Sequence, residues 1–465
     1  MSRPPEPTAA PVPAPALPAW LIPALIAALA TCQIATFRWG VIMPDAVVQY
    51  GQALSGDYGD WHPPVMAWLW RWLGAARFGS APMLLLQVSL YWLGLGLIAD
   101  GLRRAWPERR WWPLLPILIG ALPIPFGQLA AVLKDSQLAA CLLAASGIAI
   151  WHALQGRTMR WPARVAIAVL VVIAAAARFN APFAGAPVLL LALPRPPRGP
   201  ICMIVAALPA IALLFATAVL INQLMLQPRA QRPMLSLVNF DLAGISLRSG
   251  TNVYPPAARP TMVLLARCYS PASFNPHYAA DCDTVEGGLH QRYDAQGGAL
   301  PVWLGAIAHH PLAYARHRLA HFNVNQRFAV AHVPDDAVFI ATTPNDLGLF
   351  FKAGPATLGI YHVATWLAWS PLGRPATWLV VALGVLLCTG SVPARLLALS
   401  ALLYGAGYAM VSVAPDLRYN LWTLLAAMLA LLIGWDTMSP RQRLFGVALP
   451  AGFAMMAELI ALFTA

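Results

Sequence analysis

Acidic and basic side chains gather at the borders of apolar segments in this 465-residue sequence, although only 10% of its residues are charged. Asp45 follows the first apolar segment, and Asp57, Asp60 and His62 precede the tryptophan-rich stretch "VMAWLWRWLG". Three later turns, "LKDS", "RFNAP" and "PDLRYN", add Lys134, Asp135, Arg178, Asn180, Asp416, Arg418 and Tyr419. Ionisable groups at a membrane boundary are costly, so we treat these residues as candidate functional groups.

These residue types suit group transfer at a boundary between water and lipid. A carboxylate such as Asp45 can act as a general base toward an acceptor hydroxyl. Arginine and lysine can bind a phosphate whose lipid tail stays in the bilayer. Because a leaving phosphate gains negative charge, fixed cations would stabilise the transition state more than the ground state. Each residue also has a structural reading, as a helix cap, a local ion pair or a headgroup contact.

The elements that must position these groups are membrane helices. Hydrophobic residues make up 59% of the chain, and many stretches exceed the ~18 apolar residues that cross a bilayer core. The sequence therefore predicts an all-α polytopic membrane protein. We expect about 11 transmembrane helices, with 354–373 as an interfacial helix or a twelfth span. The formal net charge of +12 lies in short arginine runs between spans, which is typical of positive-inside topology rather than nucleic-acid binding.

Four regions follow from this pattern, with the arginine runs inside and the polar turns outside. They are a disordered tail at 1–18, an N-terminal transmembrane module at 19–224 with a catalytic outer loop at 39–79, a periplasmic domain at 225–352, and a C-terminal transmembrane module at 353–465. Residues 65–78 are predicted to form one interfacial helix of about 20 Å, with the start of the next span as the alternative. The segment 112–131 is predicted to be a single span.

The outer domain holds seven of the ten histidines and two of the six cysteines. His317 and His321 are four residues apart on a predicted helix and could share a metal, but an amphipathic helix resting on the membrane is the favoured reading. Cys268 and Cys282 would form a disulfide in an oxidising compartment. The other cysteines lie in apolar spans and are expected to be inert packing residues.

The order of these motifs resembles the membrane-embedded GT-C glycosyltransferases, near the bacterial protein mannosyltransferase and aminoarabinose transferase group. The resemblance lies in Asp45, an acidic stretch ending in "HPP", "LKD", "RFNAP", a large outer domain and "PDLRY". It implies a GT-C-like enzyme of a bacterial inner membrane, with its active site on the periplasmic side. The donor would be a polyprenyl-phosphate-linked sugar, from which a hexosyl or pentosyl group passes to an extracytoplasmic lipid, glycan or protein acceptor.

The resemblance also implies roles for individual residues. Asp45 would be the catalytic base, and Asp60 lies one residue from the position of a second family acid, which here is Trp61. The donor phosphate would be bound by His62, Lys134, Arg178 and Arg418. Supporting roles fall to Asp57, Asp135, Asn180, Asp416 and Tyr419. No cofactor and no required metal are expected, with a divalent metal left open.

Two other classes remain as alternatives. A transporter or lipid flippase would show an inverted repeat and polar residues deep inside its spans. A polysaccharide polymerase or ligase also combines many spans with a large outer loop and arginines, but it would not need the early Asp45–"HPP" segment.

Overall fold

The computed structural model describes residues 17–274, 282 and 298–463. Most of the predicted disordered tail and two outer-domain histidines, His277 and His290, lie outside the described residues. Within these ranges the chain is helical and contains no β-strand, which confirms the predicted all-α class. Six helices are long and apolar enough to cross a membrane, by length and composition. The larger number of predicted spans remains a prediction.

The first half of the chain contains eleven of the described helices. Prolines occupy the first or second position of many of them, because the missing N–H is unbonded there in any helix. The helices are α1 Leu21–Thr36, α2 Pro44–Ser55, α3 Val65–Trp72, α4 Ala75–Phe78, α5 Ala81–Ala105, α6 Leu114–Ala121, α7 Pro123–Gln128, α8 Lys134–Leu154, α9 Trp161–Ala177, α10 Ala181–Leu190 and α11 Pro200–Val219. A π-helical turn, Leu220–Met225, continues α11.

Two elements predicted as continuous are broken in the structure. The interfacial helix at 65–78 is divided into α3 and α4 by Gly74, whose φ of 89° only glycine adopts readily. The span at 112–131 is divided into α6 and α7, because Leu122 precedes a proline and is extended. In α3, Arg71 donates to the carbonyl oxygens at the end of α2 rather than only reaching toward headgroups.

The non-helical backbone at 129–133 is stabilised by buried glutamines. Gln87 donates from Nε2 to the carbonyl oxygen of Ala131 at 3.0 Å, and Gln137 donates to Gln87 at 2.9 Å. Buried backbone groups outside a helix need such partners, because an unpaired buried polar group costs free energy. These bonds fix the position at which α8 begins with Lys134.

Helices α5 and α8 pack closely through two glycines. A Cβ on Gly94 would lie 2.5 Å from the carbonyl oxygen of Leu143, and a Cβ on Gly147 would lie 2.5 Å from that of Gly94. Small residues let helix backbones approach each other in membranes. The contact therefore orients α8, which carries Lys134 at its first residue.

The helices between residues 234 and 325 pack around an apolar core of their own, which includes Val238, Leu242 and Leu265. Its described helices are α12 Met234–Ser249, α13 Met262–Cys268, α14 Ala299–His309 and α15 Pro311–Asn325. A disulfide joins Cys268 and Cys282.

His317 and His321 on α15 are fully buried, so the face of the helix that carries them points into the protein. The reading of α15 as an amphipathic helix resting on the membrane stays a prediction. His317 Nε2 lies 3.0 Å from Asp241, whereas His321 Nδ1 lies 2.9 Å from the carbonyl oxygen of Pro271. Burial lowers the pKa of His321 to about 4. The two rings thus have separate partners and do not face a common metal position.

Five helices complete the chain. They are α16 Pro355–Trp369, α17 Pro375–Cys388, α18 Val392–Val411, α19 Leu421–Gly434 and α20 Leu449–Phe463. A 3₁₀ turn, Leu417–Asn420, precedes α19. The 15 residues of α16 rise only about 22 Å, less than a bilayer core.

The arginine runs and the polar turns lie at opposite ends of the helices. Lys134 begins α8, and the 21 residues of that helix rise about 31 Å. At the far end, Trp151 donates to Asp100 at 3.0 Å, and Arg109 pairs with Asp436 after α19. The separation matches the thickness of a hydrocarbon core, ~30 Å.

Candidate functional site

Two chain segments are joined where Asp45 and Lys134 enter their helices. Val41 donates to the carbonyl oxygen of Ala130 at 3.2 Å, and Val132 donates back to Val41 at 2.9 Å. This short parallel bridge lies four residues before Asp45 and two before Lys134. The bridge therefore places the first turn of α2, which contains Asp45, beside the first turn of α8.

Four side chains from four segments then meet, and we call them the Asp45 cluster: Asp45, His62, Lys134 and Arg418. The Asp45 carboxylate lies 3.1 Å from Lys134 Nζ, 3.3 Å from Arg418 Nη2 and 3.6 Å from His62 Nε2. Lys134 also donates to His62 Nδ1 at 2.7 Å. Asp45 keeps 23% of its side chain exposed, whereas the other three are nearly buried.

A second ion pair borders the cluster. Arg178, directly after α9, pairs with Asp135, the neighbour of Lys134. The Arg178 guanidinium lies 4.3 Å from the ring centroid of Tyr419, and that of Arg418 lies 5.2 Å from the same ring. Cation–π attraction therefore holds both arginines against Tyr419.

Two supporting residues complete this border. Arg418 Nε donates to Asp416 at 2.9 Å. Asn180 is buried before α10, and its Nδ2 has no hydrogen-bond partner among the described residues. Three cations, Lys134, Arg178 and Arg418, thus face three carboxylates, so the formal charge of the whole group is close to zero.

Electrostatics favour ionised Asp45 and neutral His62. Burial acts to raise the pKa of Asp45, but the charges of Lys134 and Arg418 outweigh it and hold that pKa below its ordinary value. Burial, aided by the charge of Lys134, lowers the pKa of His62 to about 3. His62 can therefore accept a hydrogen bond from the lysine at neutral pH.

Asp57 and Asp60 lie apart from the Asp45 cluster. Asp57 is about half exposed and pairs with Arg229. Asp60 accepts a hydrogen bond from the backbone N–H of Gln231. These contacts attach the loop before α3 to the segment after α11. Neither Asp57 nor Asp60 contacts the Asp45 cluster.

Asn222 is a positioning residue that the sequence did not reveal. The π-helical turn after α11 directs Asn222 between α3 and α9, where it accepts from the N–H of Val65 at 3.2 Å. It also donates to the carbonyl oxygen of Ala176 at 2.9 Å. π-Helical turns occur frequently at functional sites, but a local change of helix register leaves no clear residue pattern.

Residues 335–343 form a strap that touches three of the segments presenting the site. Asp336 pairs with buried Arg327 and accepts from the N–H of Leu417 at 2.8 Å, next to Arg418. Gln128 donates to the carbonyl oxygens of this strap. At its other end, Thr343 donates to the carbonyl oxygen of Ile42 at 2.9 Å. The strap therefore fixes the relative positions of the segments carrying Asp45, Lys134 and Arg418.

No known protein family, curated protein or solved structure matches this chain. Within the part of the chain that the structure describes, no three His, Cys, Asp or Glu residues are placed to hold a metal ion. The arrangement can therefore be read only from its chemistry. It offers one partly accessible carboxylate, a neutral imidazole and fixed cations able to exchange their carboxylate partners for another anion.

Proposed function

We propose that this chain is a membrane glycosyltransferase that moves a sugar from a polyprenyl-phosphate donor to an extracytoplasmic acceptor. The observation that carries the proposal is the contact of Asp45 with both Lys134 and Arg418. Such a site combines a base for an acceptor hydroxyl with cations for a leaving phosphate.

Donor binding would change the state of Asp45. With Lys134 and Arg418 as its partners the carboxylate is a weak base, because its pKa lies below the ordinary value. A phosphate that takes over these two cations would loosen their hold on Asp45 and raise its basicity. Replacement of Asp45 by the donor phosphate at these two cations would thus both bind the donor and raise the basicity of Asp45.

The proposed reaction is an in-line displacement at the anomeric carbon, with inversion. The acceptor oxygen forms a bond to that carbon as the bond from carbon to the phosphate oxygen breaks. Asp45 takes the proton of the acceptor hydroxyl, and the electron pair of the broken bond leaves with the phosphate. Lys134, Arg418 and Arg178 would stabilise the charge that develops there.

The proposed architecture is GT-C-like, with about 11 spans in a bacterial inner membrane and a periplasmic domain at 225–352. The separation of the arginine runs from the Asp45 cluster by the length of α8 supports this orientation, because arginine-rich loops stay in the cytoplasm. The membrane-facing part of the site would include exposed Trp68 and Trp72 of α3.

A transporter or flippase is the second candidate. The observation that favours it is the interrupted segment from α6 to α8, since broken spans line the substrate sites of many transporters. The charged groups of the Asp45 cluster, however, lie at helix ends. A polymerase or ligase of polysaccharides would use the same cations without needing Asp45 as a base.

Transfer from a radiolabelled polyprenyl-phosphate sugar in membrane vesicles tests the proposal. We expect Asp45→Asn to abolish transfer at normal expression. The matched control is Asp346→Asn, which removes an exposed carboxylate outside the cluster and should keep full activity. Full transfer by Asp45→Asn would exclude the base role, and movement of the intact labelled lipid without transfer would favour the flippase.

A further inference from the structure

Gln49 is a buried amide one helical turn after Asp45 on α2, and neither of its polar atoms has a partner among the described residues. Its side chain is 0% exposed, and both Nε2 and Oε1 lack a hydrogen bond there. Leaving a buried donor and acceptor unpaired costs free energy, so such groups call for an explanation.

The position of Gln49 on α2 relates it to the site. Asp45, Gln49 and Gln52 lie within one narrow sector of the helix, because residues four and seven apart share a face. His62 contacts the Asp45 end of this row, and Gln52 Nε2 lies 3.2 Å from where a Cβ on Gly59 would be. The row therefore lies beneath the loop at 59–62, with Gln49 in its middle.

The chemistry of the row changes along its length. At one end Asp45 meets two cations, whereas Gln49 and Gln52 offer uncharged donors and acceptors. The Oε1 atom of Gln52 also lacks a partner in the described structure. A ligand that fits this row has an anionic end and an uncharged end rich in hydroxyl groups, since one amide can both donate to and accept from neighbouring hydroxyls.

We infer that Gln49, assisted by Gln52, binds the hydroxyl groups of the sugar whose phosphate is bound by Lys134 and Arg418. This inference rests on the proposed function and assigns the part of the site that distinguishes a glycosylated donor from the bare lipid phosphate. A site built to hydrogen-bond hydroxyls discriminates strongly against a ligand that lacks them.

Access to Gln49 requires residues 56–61 to separate from α2, while His62 stays in contact with Lys134. Besides the exposed pair of Asp57 with Arg229, backbone hydrogen bonds join this loop to the segment after α11: Arg229 donates to Tyr58 at 2.8 Å, and Asp60 donates to Arg229 at 3.1 Å. The loop and that segment would therefore move away from α2 together.

Binding of polyprenyl phosphate and of its arabinose, glucose, mannose and galactose derivatives to the full chain in nanodiscs tests the inference. Gln49→Met keeps the side-chain length and removes both polar atoms. We expect its affinity for the sugar derivative that the wild type binds to fall about tenfold, with the affinity for polyprenyl phosphate unchanged within twofold. Its thermal midpoint should be unchanged or higher, because an unpaired buried amide has been removed.

Two further variants sharpen the test. Gln52→Met should show the same selectivity with a smaller loss, and it replaces Gln49→Met if that variant does not fold. Gln442→Met changes an exposed glutamine after α19 and should bind every probe as the wild type does. Unchanged sugar binding, or an equal loss for both kinds of probe, would overturn the inference alone. A wild type that binds none of the probes would overturn the proposed function together with this inference.

Discussion

Removal of Asp45 and Lys134, singly and together, measures whether the cluster acts as one electrostatic unit. At their separation of 3.1 Å, two unit charges attract by about 5 kcal/mol at an effective dielectric constant of ~20. Residual exposure of Asp45 and the presence of Arg418 reduce the measurable coupling to about 2 kcal/mol. Each single variant, Asp45→Asn or Lys134→Met, leaves a charge without its main partner and should cost about 3 kcal/mol. The double variant should cost about 4 kcal/mol rather than about 6.

The assay is equilibrium unfolding in mixed micelles, followed by the fluorescence of the 18 tryptophans. A double-mutant cycle on the exposed pair of Asp57 and Arg229 serves as the matched control, and the coupling energy of this pair should stay below about 1 kcal/mol. Additive costs for Asp45 and Lys134, or a coupling no larger than that of the control pair, would show that the cluster is not one electrostatic unit.

Three further results are expected. His62 has a folded-state pKa of about 3, below its ordinary pKa of 6.5. The neutral imidazole therefore contributes fully to stability above pH 6.5, and this contribution is lost as the pH falls from 6.5 toward 3. The free energy of unfolding should be lower by about 2 kcal/mol at pH 5, and the His62→Asn variant should lack this loss. Gly244→Ala should lower the thermal midpoint by overpacking, because its Cβ would lie 2.2 Å from Nδ1 of His317, whereas Gly305→Ala, with open space around it, should not. Asp336→Asn should reduce both the rate of transfer and the affinity for the donor, because it loosens the turn that presents Arg418 to the donor phosphate.

The convergence of the polar turns was predictable because each candidate lies next to the end of an apolar helix. Helices of similar length that cross one bilayer bring their ends to the same two levels. The sequence therefore indicated which residues lie at the same end of the membrane helices. The contacts of Asp45 with Lys134 and Arg418 agree with that expectation, while the catalytic roles of these residues remain predictions.

The contact that Asp60 makes was not predictable, because its partner, Gln231, lies 171 residues away in the sequence. The loop at 56–62 has no regular periodicity, so its acids could equally have turned toward the cluster. The two broken helices differ in this respect. Gly74 and the proline after Leu122 mark positions at which helices commonly end. Both helix breaks were therefore predictable from the sequence.

Asp336 shows a second limit of sequence reasoning. It lies in a long irregular segment and has an adjacent aspartate, Asp335, that contacts Tyr361 and Thr365 instead. Composition cannot distinguish these two neighbours. Only the tertiary course of the strap directs one carboxylate to Arg327 and the turn before α19, and the other to α16.

The charge balance of the site has a consequence for how any anionic ligand could bind. A group of three cations and three carboxylates has little net attraction for a distant anion, so steering by long-range charge would be weak. Binding must instead replace carboxylates at short range, one cation at a time. Asp45 is better suited to be replaced than Asp135, since it is more exposed and holds two cations that have other partners, His62 for Lys134 and Asp416 for Arg418. Release of Asp45 would therefore leave neither cation without a contact, whereas release of Asp135 would leave Arg178 with mainly aromatic neighbours.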